Sequence, residues 1–200
     1  MRPTTLFATL VTACVVESAP AQGTFVYDQQ SADEAHLAEG DVGLGDQPLG
    51  QSFTPTFSSV GFIRIFLSGG MFGNATVHIN LRADSITGTI LGSTSPVIVT
   101  VATQGFVDFF FADPVAVTPG TTYYFQPVNQ TGGGWGANVS DFYRYPGGTA
   151  FGNGVPSLTR DFWFREGIVV PEPSAVALIF IGGGLLLYVR RIHNQCHSGN

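Results

Sequence analysis

The chain of 200 residues contains no lysine: all eight basic residues are arginine. Chemistry that needs a lysine amine is thereby excluded, from Schiff bases to the Walker A phosphate grip and the kinase lysine. Charge of either sign is scarce, at 11% of residues where an average soluble protein has about 25%. A net charge of −6 with scattered arginines offers no basic face, which excludes nucleic acid as a partner. The two cysteines, Cys14 and Cys196, lie near the ends, so residues 22–170 can form no disulfide and must rest on a packed core. Catalytic signatures are missing too. There is no His-Glu-x-x-His pairing, no Gly-x-Ser-x-Gly elbow, and no Gly-x-Gly-x-x-Gly following a strand.

What is plentiful is apolar: 44% of residues are hydrophobic, with 17 Phe, and much of the excess sits at the two ends. Residues 1–21 have the layout of a secretory signal, with Arg2 ahead of an apolar run from Leu6 to Val16. Small residues at Ala19 and Ala21 place signal-peptidase cleavage after Ala21. Val11-Thr12-Ala13-Cys14 offers an alternative, a lipoprotein box with Cys14 as lipidated N-terminus, but the apolar stretch ahead of it is short.

At the other end Pro171-Glu172-Pro173 leads into an uncharged segment over 174–189 that stops at Arg190-Arg191. The fifteen residues after Ser174 make about 22 Å of helix, against a hydrocarbon core of about 30 Å, and snorkelling arginine stems cover part of the deficit. The segment is apolar on every face, which a core helix is not. The basic pair belongs on the cytoplasmic side, which puts the body of the chain outside the cytoplasm.

This tripartite tail resembles the PEP-CTERM sorting signal of Gram-negative bacteria, over about 21 residues. The resemblance implies export across the inner membrane, single-pass anchoring, recognition by an exosortase-type processing enzyme, and release near Pro171-Glu172-Pro173 to the surface or matrix. It also implies a setting of exopolysaccharide production. The extension 192–200 is longer than the family's usual few residues. The same tail occurs on some ice-binding proteins, but as an address it implies no ice binding.

The layout expected is a signal at 1–21, an acidic irregular lead-in at 22–50, a β-sandwich at 51–168, the sorting motif at 169–173, a membrane helix at 174–189 and a basic tail at 190–200. The lead-in carries six of the body's twelve acids, with at most a short helix over 31–38. From Gln51 onward the pattern has period two. Val77, Ile79 and Leu81 alternate with Thr76, His78, Asn80 and Arg82, and Val97, Val99 and Val101 repeat the pattern. Val107, Phe109 and Phe111 do the same around Asp108, and Ile63, Ile65 and Leu67 lie opposite Phe62, Arg64 and Phe66. Further strands are expected within 52–57, 89–91, 122–128, 139–145 and 158–165, separated by Gly- and Pro-rich turns. About nine short strands without an internal helix predict an all-β antiparallel sandwich, a jelly roll, with Pro55 and Pro127 at edges or strand ends.

Gln51-Ser52-Phe53-Thr54, Pro119-Gly120-Thr121-Thr122-Tyr123-Tyr124, Tyr145-Pro146-Gly147-Gly148 and Asp161-Phe162-Trp163-Phe164-Arg165 together resemble the choice-of-anchor domain of type R. That resemblance implies a β-sandwich carried on interchangeable sorting tails, and no activity.

Two features bear on ligands. Asp41 and Asp46 supply oxygen ligands for Ca2+, although no Asp-x-Asp-x-Asp loop is present and a solvated acidic loop is the alternative. Trp135, Tyr143, Tyr145 and Trp163 are candidates to stack on sugar faces, the alternative being that such rings fill the core. His36 and His78 cannot make a structural zinc site without carboxylates. The reading is an exported, non-enzymatic envelope or matrix protein that binds polysaccharide, without a resident cofactor. A hydrolase acting on that polysaccharide is one alternative, and it needs two acids converging in a cleft. A purely structural surface protein is the other.

Overall fold

The computed structural model describes residues 23–31, 40–69, 73–140 and 144–171. Fourteen strands are present among them: β1 (Thr24–Gln30), β2 (Gly40–Gly43), β3 (Gly50–Phe53), β4 (Ser59–Gly69), β5 (Ala75–Arg82), β6 (Ile90–Ser93) and β7 (Val97–Val99), then β8 (Gln104–Ala116), β9 (Tyr123–Gly132), β10 (Trp135–Ser140), β11 (Ala150–Gly152), β12 (Val155–Pro156), β13 (Asp161–Phe162) and β14 (Phe164–Val170). A single 3-10 turn, Leu44–Asp46, follows β2. The strands form two antiparallel sheets packed as a sandwich, in one compact unit from Thr24 to Val170. The front sheet has the order β1-β14-β4-β10-β13, with β8 on β4 and β2 on β10; the back sheet has β12-β11-β3-β9-β5-β6, with β7 on β5.

Period-two alternation produces the core. Ile63, Ile65 and Leu67 of β4 face Val77, Ile79 and Leu81 of β5, and all six are fully buried, joined by Phe53, Phe109, Phe125, Phe162 and Phe164. Each such side chain contributes about 1.5–3 kcal/mol on burial, which is how a domain without disulfides holds together. Phe125 meets Phe164 at 5.2 Å between centroids, a tilted contact across the two sheets.

The expected boundaries need correction at the N-terminal side. The stretch 22–50 is not an irregular lead-in, because β1 pairs with β14 from Thr24↔Val170 to Gln30↔Arg165 and β2 pairs with β10. Alternation along β1 is broken by a bulge at Asp28, between Tyr27 and Gln29, which conceals the strand from a periodicity reading. Ser31 continues it, its N–H donating to the Phe164 carbonyl at 3.0 Å. Residues 32–39, with most of the expected short helix, lie outside the described residues. At the other end the strand placed within 158–165 divides into β13 and a longer β14 reaching Val170.

Pro127 sits inside β9, opposite Ile79 of β5, in a strand flanked on both sides. Pairing with β3 stops at Phe125, however, so Pro127 lies at a local edge where no ladder partner waits for an N–H. Gln47 donates to its carbonyl at 3.0 Å from the vacated side.

Among the described residues no helix is long and apolar enough to cross a membrane. The expected signal with Ala19 and Ala21, the span 174–189, Arg190, Arg191, Glu172 and Pro173 lie outside the described residues. Pro171 is exposed at the end of β14.

Candidate functional site

The two sheets present unlike outer faces. On the back sheet, polar residues alternate outward as ordinary patterning dictates: Arg82 Nε donates to Gln126 Oε1 at 2.8 Å, and Ser93 to Asn80 at 2.6 Å. On the front sheet the outward positions of β1, β4 and β8 are aromatic. Phe25 meets Phe62 edge-on at 4.8 Å and Phe110 at 5.9 Å, and Tyr27 stacks beside Phe25 at 6.3 Å. Further along β4 and β8, Phe66 meets Phe106 at 5.3 Å, and Phe106 lies parallel to Trp163 at 6.3 Å and 9°.

Two arginines are threaded between these rings. Arg64 lies over Phe25 at 4.7 Å, and Arg165 lies between Tyr27 at 5.3 Å and Phe106 at 4.8 Å. The register sets Arg165 directly opposite Arg64 across β14 and β4, and Arg64 opposite Asp108 across β4 and β8. Arg64 grips Asp108 through Nε and through Nη2 at 2.8 Å, and donates through Nη1 to the Tyr27 hydroxyl at 2.8 Å. The hydrogen bond to Asp108 raises the Arg64 pKa further, outweighing the opposing effect of burial. Phe62 and Trp163 form the buried floor of this row, while Tyr27 at 37% and Phe110 at 41% exposure stand at its surface. An aromatic row on the wet side of a sheet is more apolar than folding requires, and such patches mark binding surfaces.

The sugar platform expected from single residues is not where it was placed. Trp135 points into the core from β10, opposite Gly69, and is 3% exposed. Tyr145 is buried with its ring edge-on to Phe164 at 5.3 Å. Trp163 does face away from the core, as its alternation with Phe162 and Phe164 predicts, but Phe66 and Phe106 cover it to 4% exposure. None of these three rings can stack directly on a ligand. Tyr143 lies outside the described residues. The rings that sequence reasoning missed, Phe25, Tyr27, Phe106 and Phe110, are on β1 and β8, the two strands that flank β14 and β4, and their signal was two strands with aromatics on the polar phase.

Inside the sandwich, at one end, lies a polar network. The Tyr145 hydroxyl donates to Gln29 at 2.9 Å and accepts from the Thr54 N–H at 3.1 Å, and burial pushes its pKa up to about 12. Asp161 accepts from Gln51 Nε2 at 2.7 Å and from the Tyr145 N–H at 2.9 Å; burial raises its pKa against these bonds and the Arg144 charge. Asp28 accepts from the backbone N–H groups of Thr56 at 2.7 Å and Phe57 at 2.8 Å, from the Thr56 hydroxyl and from Gln29. Beside it Glu166 is fully buried, with neither carboxyl oxygen in a hydrogen bond, and burial followed by the Asp28 charge pushes its pKa up to about 9. Two carboxyls with pKa values driven apart are the raw material of acid–base chemistry. Here the acid member lies under the strands, where no substrate reaches it. An open groove between β6 and β8 is lined by Leu91, Phe111, Pro114 and Val115 and carries one acid, Asp113.

The calcium ligands expected at Asp41 and Asp46 are otherwise engaged or undescribed. Asp46 accepts from the Gly43 N–H at 2.9 Å and so closes its own turn, while Asp41 is placed on β2 opposite Asn138 with its side chain outside description. Among the described residues no three His, Cys, Asp or Glu converge as metal ligands. His78 is half-buried on the back sheet, and burial lowers its pKa. Comparison with protein-family models and with curated proteins returns no match.

Proposed function

We infer that the chain is an exported protein of the cell envelope or extracellular matrix that binds polysaccharide without acting on it chemically. It enters by its signal, is held in the inner membrane by the span before Arg190-Arg191, and is released by an exosortase-type enzyme at Pro171-Glu172-Pro173. The strands taken as β1-β14-β4-β8 over β3-β9-β5-β6 support the jelly-roll reading of the sandwich.

The observation that carries the binding function is the aromatic row on the front sheet, with the partly exposed rings of Tyr27 and Phe110 above the buried Phe62. Ring faces take the C–H side of a sugar while its hydroxyls stay in water. The test is retention of the full chain on the producing organism's exopolysaccharide, together with mass spectrometry of the mature termini. Retention of the wild type and its loss in Phe110→Ser supports the reading; no retention of the wild type removes the sugar clause. Intact residues 172–200 in the mature protein would remove the processing clause.

A further inference from the structure

We propose that the front-sheet row takes an uncharged stretch of polysaccharide through a hydrogen bond from the Tyr27 hydroxyl, aimed by Arg64 as a positioning residue, beside the stacking ring of Phe110. The proposal rests on the polysaccharide reading above and adds the class of sugar, the atom that reads it and the residue that aims that atom.

Donor accounting at Tyr27 is the first ground. A phenol hydroxyl both donates and accepts. Arg64 Nη1 donates to the Tyr27 oxygen at 2.8 Å, so the hydroxyl is the acceptor in that bond and its own hydrogen turns away from the guanidinium. Among the described residues that hydrogen has no acceptor, and Tyr27 is 37% exposed. A sugar oxygen that takes it extends a chain running from Asp108 through Arg64 and Tyr27 to the ligand, in which each bond polarises the next.

Fixity is the second. The Tyr27 ring stacks beside Phe25 at 6.3 Å, meets Phe62 edge-on at 5.8 Å and has the Arg165 guanidinium over it at 5.3 Å. Arg64 is held in turn by both oxygens of Asp108 and by the Phe25 ring against its flat face at 4.7 Å. Little freedom remains for the hydroxyl to lose when a ligand arrives. Phe110, 5.9 Å from Phe25 and 6.4 Å from Phe62, stands beside it at 41% exposure. A ring for the C–H side of one sugar and a fixed hydroxyl hydrogen for an oxygen of the same polymer make a two-point contact.

Charge is the third ground. Asp108 meets the Arg64 charge within the protein, so Arg64 aims Tyr27 and holds no ligand anion. The body 22–170 carries twelve acids against five arginines, a balance of −7, which repels an acidic polymer. Sugar hydroxyl, ring and bridging oxygens are neutral acceptors, the kind a hydroxyl donor recognises.

The experiment measures binding of the full chain to the producing organism's exopolysaccharide, native and after chemical reduction of any carboxyl groups to neutral alcohols. Tyr27→Phe removes one oxygen and keeps the ring. It should lower affinity about threefold to tenfold, the worth of one hydrogen bond, with the unfolding midpoint nearly unchanged. Arg64→Gln should lower affinity as well, and in its background Tyr27→Phe should cost much less than it does alone, because Arg64 acts through that hydroxyl. Reduced polymer should bind as tightly as native polymer, or tighter. Tyr27→Phe binding as the wild type does overturns the proposal, and loss of binding in Phe110→Ser beside it leaves the polysaccharide reading standing. Additive losses in the double variant overturn the role of Arg64, and weaker binding of the reduced polymer overturns the uncharged class. No binding of either polymer by the wild type removes the polysaccharide reading and this proposal together.

Discussion

The carboxyl of Glu166 is fully buried under β14, beside the half-buried carboxylate of Asp28 on β1, with no cation in the pair. The two acids divide the work. Asp28 stays ionised because four hydrogen bonds hold its charge, and Glu166 keeps its proton because burial strips water from its charge and the neighbouring Asp28 charge adds to the cost. The bulge at Asp28 is what turns that residue toward Thr56 and Phe57 while Tyr27, before it, remains in the outer row. Asp28 of the acid pair and Tyr27 of the outer platform are therefore hung on the same strand.

Glu166 makes stability depend on pH in a stated direction. Its folded-state pKa of about 9 lies above the ordinary 4.5, so its contribution is fully present below about 4.5 and is lost as pH rises through about 9. Within that window each pH unit costs up to about 1.4 kcal/mol. Urea unfolding of the full chain at pH 5, 7 and 9 is expected to show falling stability, and Glu166→Gln is expected to flatten the slope. An equally steep slope in the variant would refute this role.

Asp28 acts with the opposite sign. Burial pushes its pKa up, but the bonds from Thr56, Phe57 and Gln29 outweigh that and hold it below the ordinary 3.8. Its contribution is present above that value and disappears as pH falls through the lowered one. Asp28→Asn can keep its oxygen on the Thr56 and Phe57 N–H groups, which turns its amide N–H toward the Gln29 amide that donated to the carboxylate, and it is expected to cost about 1–3 kcal/mol at neutral pH. It should also loosen β1, read as faster amide exchange at Val26 and Gln29.

Residues with clean alternation were legible from the sequence. Val77, Ile79 and Leu81 form the inward face of β5, and Ile63, Ile65 and Leu67 that of β4, so the sandwich class followed directly. β1 was not legible, since one extra residue at Asp28 reverses the phase midway and acidic composition suggested a loop. β14 was legible only in part, because Glu166 and Gly167 occupy buried strand positions that ordinarily argue against a strand. For the site, alternation gave the side of the sheet on which Trp163 lies, but not that Phe66 and Phe106 would roof it. The contact of Gln51 with Asp161 spans 110 positions, and no local pattern reports a pairing at that distance.

Gly132 is required by its surroundings. It ends β9 with φ +93, and a Cβ there would come within 2.1 Å of the Asn74 carbonyl oxygen, a backbone atom that cannot swing aside. Gly132→Ala combines a left-handed conformation with that clash and is expected to destabilise by more than about 1 kcal/mol. The neighbouring Gly73 also has positive φ, at +97, but open space around it, so Gly73→Ala should cost less than Gly132→Ala. Thermal unfolding of the two variants side by side gives the comparison, and equal losses would count against the clash.

Trp135 and Phe110 separate folding from binding. Trp135 is a core residue, and Trp135→Ala should cost about 3–5 kcal/mol, seen as a large drop in unfolding midpoint, while Trp135→Phe should keep full affinity for polysaccharide wherever the chain is folded. Phe110 is 41% exposed, so Phe110→Ser should leave the midpoint nearly unchanged and reduce affinity. Trp163 lies between these cases. Its ring supports Phe66 and Phe106 from below, so Trp163→Ala should lower both stability and affinity, and Trp163→Phe should restore stability before affinity. If Trp135→Phe lost binding while Phe110→Ser kept it, the ligand would lie at the β10 end of the molecule and not on the front-sheet row.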